Sequence, residues 1–372
     1  MDGISAQTDT LPFKIAEPLS LAGSVIALCY IRPMSRSNVE DSQQPKLPEQ
    51  SIDPRLPAQK PHVVAIDLGG TNIRAARCDG SGHILQRARQ LTRPQDGTRA
   101  VLDRIVQSVR DMAGDGDTIH AVGVASPGTL NPYTGLVLYA PNLGWTNVPL
   151  QTLLQDKLGL PVGIGNDANL AALGEQQYGA GQGIANLVYV TLSTGIGSGV
   201  ILNNQLVLGA HGLATEGGHM TVDVFGPISG SGVPGGFEGY AAGPAIARLA
   251  QQKLREGRAS TMQELAGGDI ANVSAREVGD AAQLGDPLAN EIVQHVARII
   301  GLGFVNLLHL FDPEILVVGG SVALMGDLLL DPVRATIQQY AMPPYRGVPV
   351  VPAMLGDDCG LLGAAALAVQ QR

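Results

Sequence analysis

Glu216, His219 and Glu238 stand among glycines in the stretch Leu187–Gly243, which reads LVYVTLSTGIGSGVILNNQLVLGAHGLATEGGHMTVDVFGPISGSGVPGGFEGYAAG. Glycine lets a backbone approach a ligand closely and adopt φ > 0. Polar side chains held on such turns carry function more often than those inside regular elements. The segments around these three residues are too glycine-rich to sustain a helix, so loops are expected to present them. In the first half of the stretch, Ser193-Thr194-Gly195-Ile196-Gly197 forms a Gly/Thr turn between two apolar runs. The chemistry to expect is a phosphate held by the first half and a polyol held by the second.

The elements that must position these residues occur twice. His62 opens a short β-branched run, Val63–Ile66, followed by Asp67-Leu68-Gly69-Gly70-Thr71; Ile73–Cys78 is extended, Asp79–Gly82 a turn, and His83–Arg89 a third strand. The same order returns as Leu187–Leu192, the turn Ser193–Gly197, Ser198–Leu202, Asn203-Asn204 and Gln205–Leu208. Two ordinary hairpins would also need glycine in their turns. The matched pair, each with a threonine beside its glycines, points to two lobes of similar design facing each other. Between the repeats, Arg99–Met112 has helical spacing, Ala121–Val124 is a buried-strand candidate and Leu150–Leu158 a helix. Pro161–Ile164 is a strand that runs into Asn166-Asp167, where a helix begins. Ends of strands in open α/β sheets are favoured places for ligand groups, and Asp is also a good helix N-cap; both roles can hold together. Further on come an amphipathic helix Pro244–Arg255, a buried helix Pro287–Leu310, a strand Ile315–Val318 ending at Gly319-Gly320, and an Ala-rich terminal helix after the motif Leu355–Gly363. Strands and helices alternate throughout, which sets the class as α/β.

At 372 residues the chain is long enough for two domains and a substantial core. A net charge of −9 argues against a nucleic-acid-binding surface over the whole chain. Cys29, Cys78 and Cys359 form neither a disulfide framework nor a CxxC pattern, which fits a reducing cytoplasm. Residues 1–60 are rich in proline and in Ser/Gln/Glu/Asp, the composition of a disordered leader; a spurious upstream start with Met34 as initiator explains them equally well. The apolar run Leu19–Ile31 is too short to span a membrane. Its acidic flank argues against a signal peptide.

Phosphate chemistry of the Walker type is excluded because no Gly-Lys pair occurs. Gly163-Ile164-Gly165-Asn166-Asp167-Ala168 matches a dinucleotide fingerprint in form, but no acid obviously ends the next strand. Gly230-Ser231-Gly232-Val233-Pro234-Gly235 matches GxGxxG but follows no strand. Five segments, taken in order, carry a resemblance instead. Asp67-Leu68-Gly69-Gly70-Thr71-Asn72 resembles the first phosphate loop of the ROK sugar kinases of the actin-like ATPase superfamily. Thr194-Gly195-Ile196-Gly197 resembles their second phosphate loop, and Val317-Val318-Gly319-Gly320 their adenosine-side turn. Glu216-Gly217-Gly218-His219 is similar to the E-x-G-H motif, and Asn166-Asp167 to the catalytic N-D pair. The match covers about Val63–Gln371, and its pattern is most similar to that of the bacterial glucokinases.

The resemblance implies a two-lobed actin-like ATPase (ribonuclease H-like) fold with its active site in the interlobe cleft. Residues 61–170 with the terminal helix 360–372 would form a small lobe and 171–359 a large one. It implies ATP-dependent phosphorylation of a hexose, glucose first, with fructose, mannose, allose and N-acetylmannosamine as alternatives. Asp167 would be the general base. Asn166, Glu216, His219 and Glu238 would hold the sugar, with the Gly128 backbone nearby; carboxylates and amides can each fix a hydroxyl's direction. Gly69, Gly70, Thr71, Asn72, Thr194, Gly195, Gly197, Gly319 and Gly320 would hold ATP, and Asp67 would hold Mg²⁺ directly or through water. The expected partners are the sugar, ATP and a second copy of the chain, with no membrane and no nucleic acid. The family also includes sugar-responsive repressors with an N-terminal helix-turn-helix, which the Pro-rich leader does not suggest.

One departure stands out. ROK kinases usually carry a C-x-C-G-x-x-G-C segment whose cysteines join the E-x-G-H histidine on a structural Zn²⁺. Here the matching positions are Ser229, Ser231 and Gly236. Zinc needs about four N, S or O ligands, so no zinc is expected, and the loop carrying His219 and Glu238 must be ordered by other means.

Overall fold

A computed structural model describes residues 62–113, 118–226, 228 and 232–371. The leader, Ser229, Gly230 and Ser231 therefore lie outside the described residues. In chain order the elements are β1 (His62–Leu68), β2 (Asn72–Cys78), β3 (Ile84–Leu91), α1 (Thr98–Met112), β4 (Ile119–Ser126), β5 (Thr129–Asn131), β6 (Leu136–Ala140), β7 (Trp145–Val148), α2 (Leu150–Leu158), β8 (Val162–Asn166) and α3 (Asp167–Tyr178). Then follow β9 (Leu187–Leu192), β10 (Ile196–Leu202), β11 (Gln205–Leu206), α4 (Phe237–Ala241), α5 (Gly243–Arg255), α6 (Met262–Leu265), α7 (Ala275–Gln283), α8 (Pro287–Phe311), β12 (Ile315–Gly319), α9 (Asp327–Tyr340), β13 (Val350–Pro352) and α10 (Cys359–Gln370).

The repeated turns belong to repeated sheets. One sheet has the order β3-β2-β1-β4-β8 and the other β11-β10-β9-β12-β13. In each, the strand before the Gly/Thr turn pairs antiparallel with the strand after it and parallel with the next strand along. This is the two-lobed α/β arrangement that the resemblance implies. Hydrophobic runs without alternation follow from burial on both faces. Along β1, Val64, Ile66 and Leu68 join a cluster with α1, while Val63 and Ala65 face α10.

The α10 side is built from small residues because two backbones meet there. A Cβ on Gly123 of β4 would lie 1.8 Å from Ala364 O in α10, and one on Gly363 would lie 1.7 Å from Leu170 O in α3. Helix α3 in turn lies on the second sheet: a Cβ on Gly199 would be 2.7 Å from Ala168 O. Helix α3 thus touches both sheets, and its first residues emerge beside the start of β10. The same packing explains the false dinucleotide fingerprint. Gly163 is pressed by Leu367 and Gln371, and Gly165 by Leu170, so these glycines serve helix packing instead of a pyrophosphate.

One sequence expectation, loops around His219 and Glu238, needs correction. Glu238 lies on a helix, the five-residue α4, and 217–219 form a 3₁₀ turn. Glycines on either side did not prevent α4, because its Phe237 is fully buried and packs on Gly303 of α8. Tertiary packing outweighs local propensity here. A three-stranded sheet, β5-β6-β7, was also not expected, and it carries one wall of the cleft. Helix α8 is long and apolar enough by composition to cross a membrane, but it is the core helix of the second lobe, with Leu288, Ile292, Val296, Ile300 and Phe304 buried along it.

Candidate active site

The floor of the cleft is the junction of β8 and α3. Asn166, not Asp167, caps the helix: its side chain accepts the N–H groups of Ala168 (3.0 Å) and Asn169 (3.2 Å) and donates to Gly128 O (3.4 Å). Asp167 is the first helical residue and accepts the Ala168 N–H at 2.8 Å. Its side chain is exposed to the cleft, with protein atoms crowding the carboxyl from the cleft floor. The resulting desolvation pushes its pKa up to about 6, and the charges of Asp67 and Glu216 add to the rise. The Ala168 N–H opposes them. A carboxylate with these neighbours is ionised above neutrality and still basic enough to take a proton.

The first Gly/Thr turn is held from behind. Gly69 N–H donates to Asn72 O (2.8 Å), and the fully buried Thr92 donates from Oγ1 to Gly69 O (2.6 Å) and from N–H to Thr71 O (2.9 Å). A Cβ on Gly70 would lie 3.0 Å from Asn142 Cβ. Sequence reasoning missed Thr92, which sits more than twenty positions downstream in the strand pairing. Asp67 is the penultimate residue of β1, not part of the turn, and faces Arg74 across the ladder. Arg74 donates to Asp67 Oδ2 alone. The remaining oxygen is a hard donor suited to Mg²⁺, and no group of three or more acidic, His or Cys side chains placed to hold a metal ion occurs among the described residues. A Mg²⁺ held there would draw most of its ligands from phosphates and water, as this ion commonly does.

The second turn adjoins a cavity of about 620 Å³ lined by Ser193, Thr194, Pro244, Arg276, Asp280 and Met325 among others. Ser193 N–H donates to Gly195 O (2.9 Å) and Gly243 N–H donates to Ser193 O (2.7 Å). Gly319 and Gly320 do not line this cavity. Gly319 packs on the Tyr189 ring, a Cβ there lying 2.4 Å from its hydroxyl, and Gly320 (φ 88°) packs on Leu192 O; the next residue, Ser321, reaches the cavity. Arg276, Asp280 and Gln283 were not anticipated. Their i, i+4, i+7 spacing on α7 was the available signal.

Glu216, His219 and Glu238 meet with Asn166 and Asp167 around a second cavity of about 560 Å³. Glu216 Oε2 is 3.7 Å from His219 Nε2. The glycines between them are required: a Cβ on Gly218 would lie 2.1 Å from Ile196 O, and one on Gly217 2.6 Å from Ser198 Oγ. Thr215, just before Glu216, has φ 69°, a rare conformation for a β-branched residue. Its hydroxyl and carbonyl are pinned by Ser198, whose Oγ also receives the Gly217 N–H at 3.1 Å. Glu238 Oε2 accepts the Ile196 N–H at 2.9 Å and sits against Gly195. The second Gly/Thr turn and the cavity of Glu216, His219 and Glu238 are therefore in direct contact. Gly128 and Gly197 line this cavity; Gly195 and the segment Asp67–Asn72 line neither. Asn169, Tyr139 and Leu213 line it too and were missed by sequence reasoning. Gly236, at one of the three positions where ROK kinases carry cysteine, begins α4 with extended backbone.

Comparisons with known proteins bear on the family and the fold. The model of the ROK family matches residues 63–371. The glucokinase of Streptomyces coelicolor is 37% identical over 310 residues, covering 82% of this chain and 97% of that protein. A crystal structure of a ROK family glucokinase from Streptomyces griseus in complex with glucose and AMPPNP superposes with a TM-score of 0.72 at 36% identity, covering 83% of this chain and 99% of that one. A putative xylose repressor from a Caldicellulosiruptor species is 29% identical over 318 residues, covering 82% of this chain and 78% of the repressor.

Proposed function

The chain belongs to the ROK family, and from that membership we propose that it is an ATP-dependent hexose kinase, acting first on glucose, with Asp167 as general base. The observation that carries this reading is Asp167 itself, on the floor of a cavity ringed by Asn166, Glu216, His219 and Glu238 and next to the second Gly/Thr turn. Asp167 takes the proton from a sugar hydroxyl as that oxygen forms its bond to the γ-phosphorus of ATP. The bond from that phosphorus to the β–γ bridging oxygen breaks, and ADP leaves. Asn166, Glu216, His219 and Glu238 fix the hydroxyl directions and so preset the reacting oxygen. Thr194 and the backbone of both turns hold phosphate oxygens. Asp67 would hold Mg²⁺, directly or through water, and the ion when bound would supply charge neutralisation. Phosphoryl transfer rests mainly on such positioning and electrostatics. The cavity of about 620 Å³ beside Thr194 receives the adenosine.

A coupled assay of ADP release over glucose, fructose, mannose, allose and N-acetylmannosamine tests the reading. Glucose should give the highest kcat/KM, and Asp167→Asn should lower kcat by about 10²–10⁴-fold, the usual worth of a general base. Near-full turnover by Asp167→Asn would show that the base is misassigned. Sugar binding without ADP release from any of the five would favour a sensor related to the repressors.

A further inference from the structure

Between His219 and Glu238 the chain leaves the cleft and returns to it. Whatever fixes that excursion fixes the separation of two side chains assigned above to the sugar. The outgoing arm, 220–226, lies against the returning arm, 232–236. Phe237 N–H donates to Met220 O (2.7 Å), Val222 N–H to Gly235 O (2.9 Å) and Thr221 Oγ1 to Pro234 O (3.2 Å). The arms touch closely enough that a Cβ on Gly235 (φ 60°) would lie 1.6 Å from Asp223 O. Among the described residues of the far end apolar burial supplies no anchor, since Val224, Phe225 and Ile228 are 71%, 95% and 74% exposed. The side-chain tie onto α4 is made by Asp223. Its Oδ1 accepts the Phe225 N–H (3.0 Å), closing a turn, and its Oδ2 accepts the Tyr240 hydroxyl (2.7 Å). Tyr240 lies on α4, two residues past Glu238, and a Cβ on Gly226 would be 2.3 Å from its hydroxyl. The excursion is thus knotted onto the helix that carries Glu238, which Phe237 anchors in the core.

We propose that Asp223 and Tyr240 are a positioning pair for sugar recognition, holding the excursion so that His219 and Glu238 converge on one ligand. The proposal rests on the assignment of the second cavity to a sugar. The tie joins an ionised acceptor to a neutral donor, an arrangement stronger than a neutral pair. Burial, with the Asp223 carboxylate adding to it, pushes the Tyr240 phenol up to about 12, so it stays a donor across the range of kinase assays.

Tyr240→Phe removes the donor and keeps the ring; Asp223→Ala removes the acceptor. Each should raise the sugar KM about tenfold, the scale of a lost hydrogen bond to a charged group. The kcat and the KM for ATP should stay within about twofold, and the double variant should be no worse than the more affected single, because one bond is lost once. Amide exchange at Val222 and Phe237 should be faster in Tyr240→Phe, whether or not sugar is turned over. An unchanged sugar KM in an active parent overturns the pair's role, and so does a fall in kcat and both affinities together with Tm. If the parent phosphorylates no hexose, the kinase reading fails on its own; unchanged amide exchange would then still overturn the tie.

Discussion

The two halves of the molecule use one sheet design and furnish it differently at equivalent places. Asp67 in β1 corresponds to Thr191 in β9, each the penultimate residue before its turn. Across the ladder Asp67 faces Arg74, while Thr191 faces Gly197. The first unit therefore places a charged pair beside its turn. The second places no charge there but a close-packed glycine, a Cβ on Gly197 lying 3.0 Å from Ala168 Cβ, next to Asp167. The supports differ as well. The first turn hangs from the buried hydroxyl of Thr92, a structural tie, whereas the second is tied through Ile196 N–H to Glu238, a side chain of the cavity proposed above for the sugar. On the proposed function, one unit contributes charge and the other couples the two substrates.

The largest expected effect breaks or upholds the charge asymmetry. Asp67→Asn should lower kcat by about 10²–10³-fold, the range for removing one preorganised electrostatic interaction. Mn²⁺ binding to the sugar-free enzyme, followed by electron paramagnetic resonance, should weaken alongside. Thr191→Val should stay within about threefold of the parent, and an equal loss from both would sink the asymmetry. Next comes pH. Asp167 must be ionised to act, and its carboxyl is raised to about 6, so kcat/KM should fall about tenfold per pH unit below that value. A flat profile down to pH 5 would remove Asp167 from the base's role. The coupling side is read by Gly195→Ala, whose Cβ would lie 2.5 Å from Glu238 Oε2. It should raise the KM values for sugar and ATP together, each by about tenfold, the scale of one hydrogen bond to a charged group. Gly70→Ala, pressed against Asn142, should affect ATP alone.

The smallest effect is on stability. The folded pKa of Asp167, about 6, lies above the unfolded value of about 3.9. Its contribution is fully present below the unfolded pKa and is lost as pH rises through the folded one. Asp167→Asn should therefore melt higher than the parent at pH 8, by less than the full shift because the exposed carboxyl is screened by water, and at the same temperature at pH 3.5, which calorimetry at the two pH values would check.

What the sequence showed of this fold came from its punctuation. The paired Gly/Thr turns and the strand before Asn166 were legible because glycine, threonine and β-branched runs mark local geometry directly. The three short strands β5–β7 were not, because none is long enough to show alternation, and their residues are ordered by packing on Leu130, Val137 and Trp145. Helix α7 was passed over although Ser274-Ala275-Arg276-Glu277 is a capping box, with Ser274 N–H donating to Glu277 Oε2 at 2.8 Å. In the site, residue types were legible while support was not. Thr92, Ser198 and Tyr240 bear no local signature, since each acts on a partner distant in sequence. Glu238 was readable as a ligand group but not as a helical one, because the force holding α4 is the burial of Phe237.

The packing of α10 on β4 has a bearing on how the chain is made. Val63, Ala65, Ala121 and Ala125 form one face of the first sheet, and the residues that cover it are Leu361, Leu362, Ala364 and Ala365. During synthesis that face leaves the ribosome far ahead of its cover; Arg87 and its partner Asp358 show the scale, 271 positions apart. Contacts so distant along the chain form slowly and leave apolar surface open meanwhile. The early half of the protein must wait for its late helix, and its apolar face stays uncovered until that helix arrives.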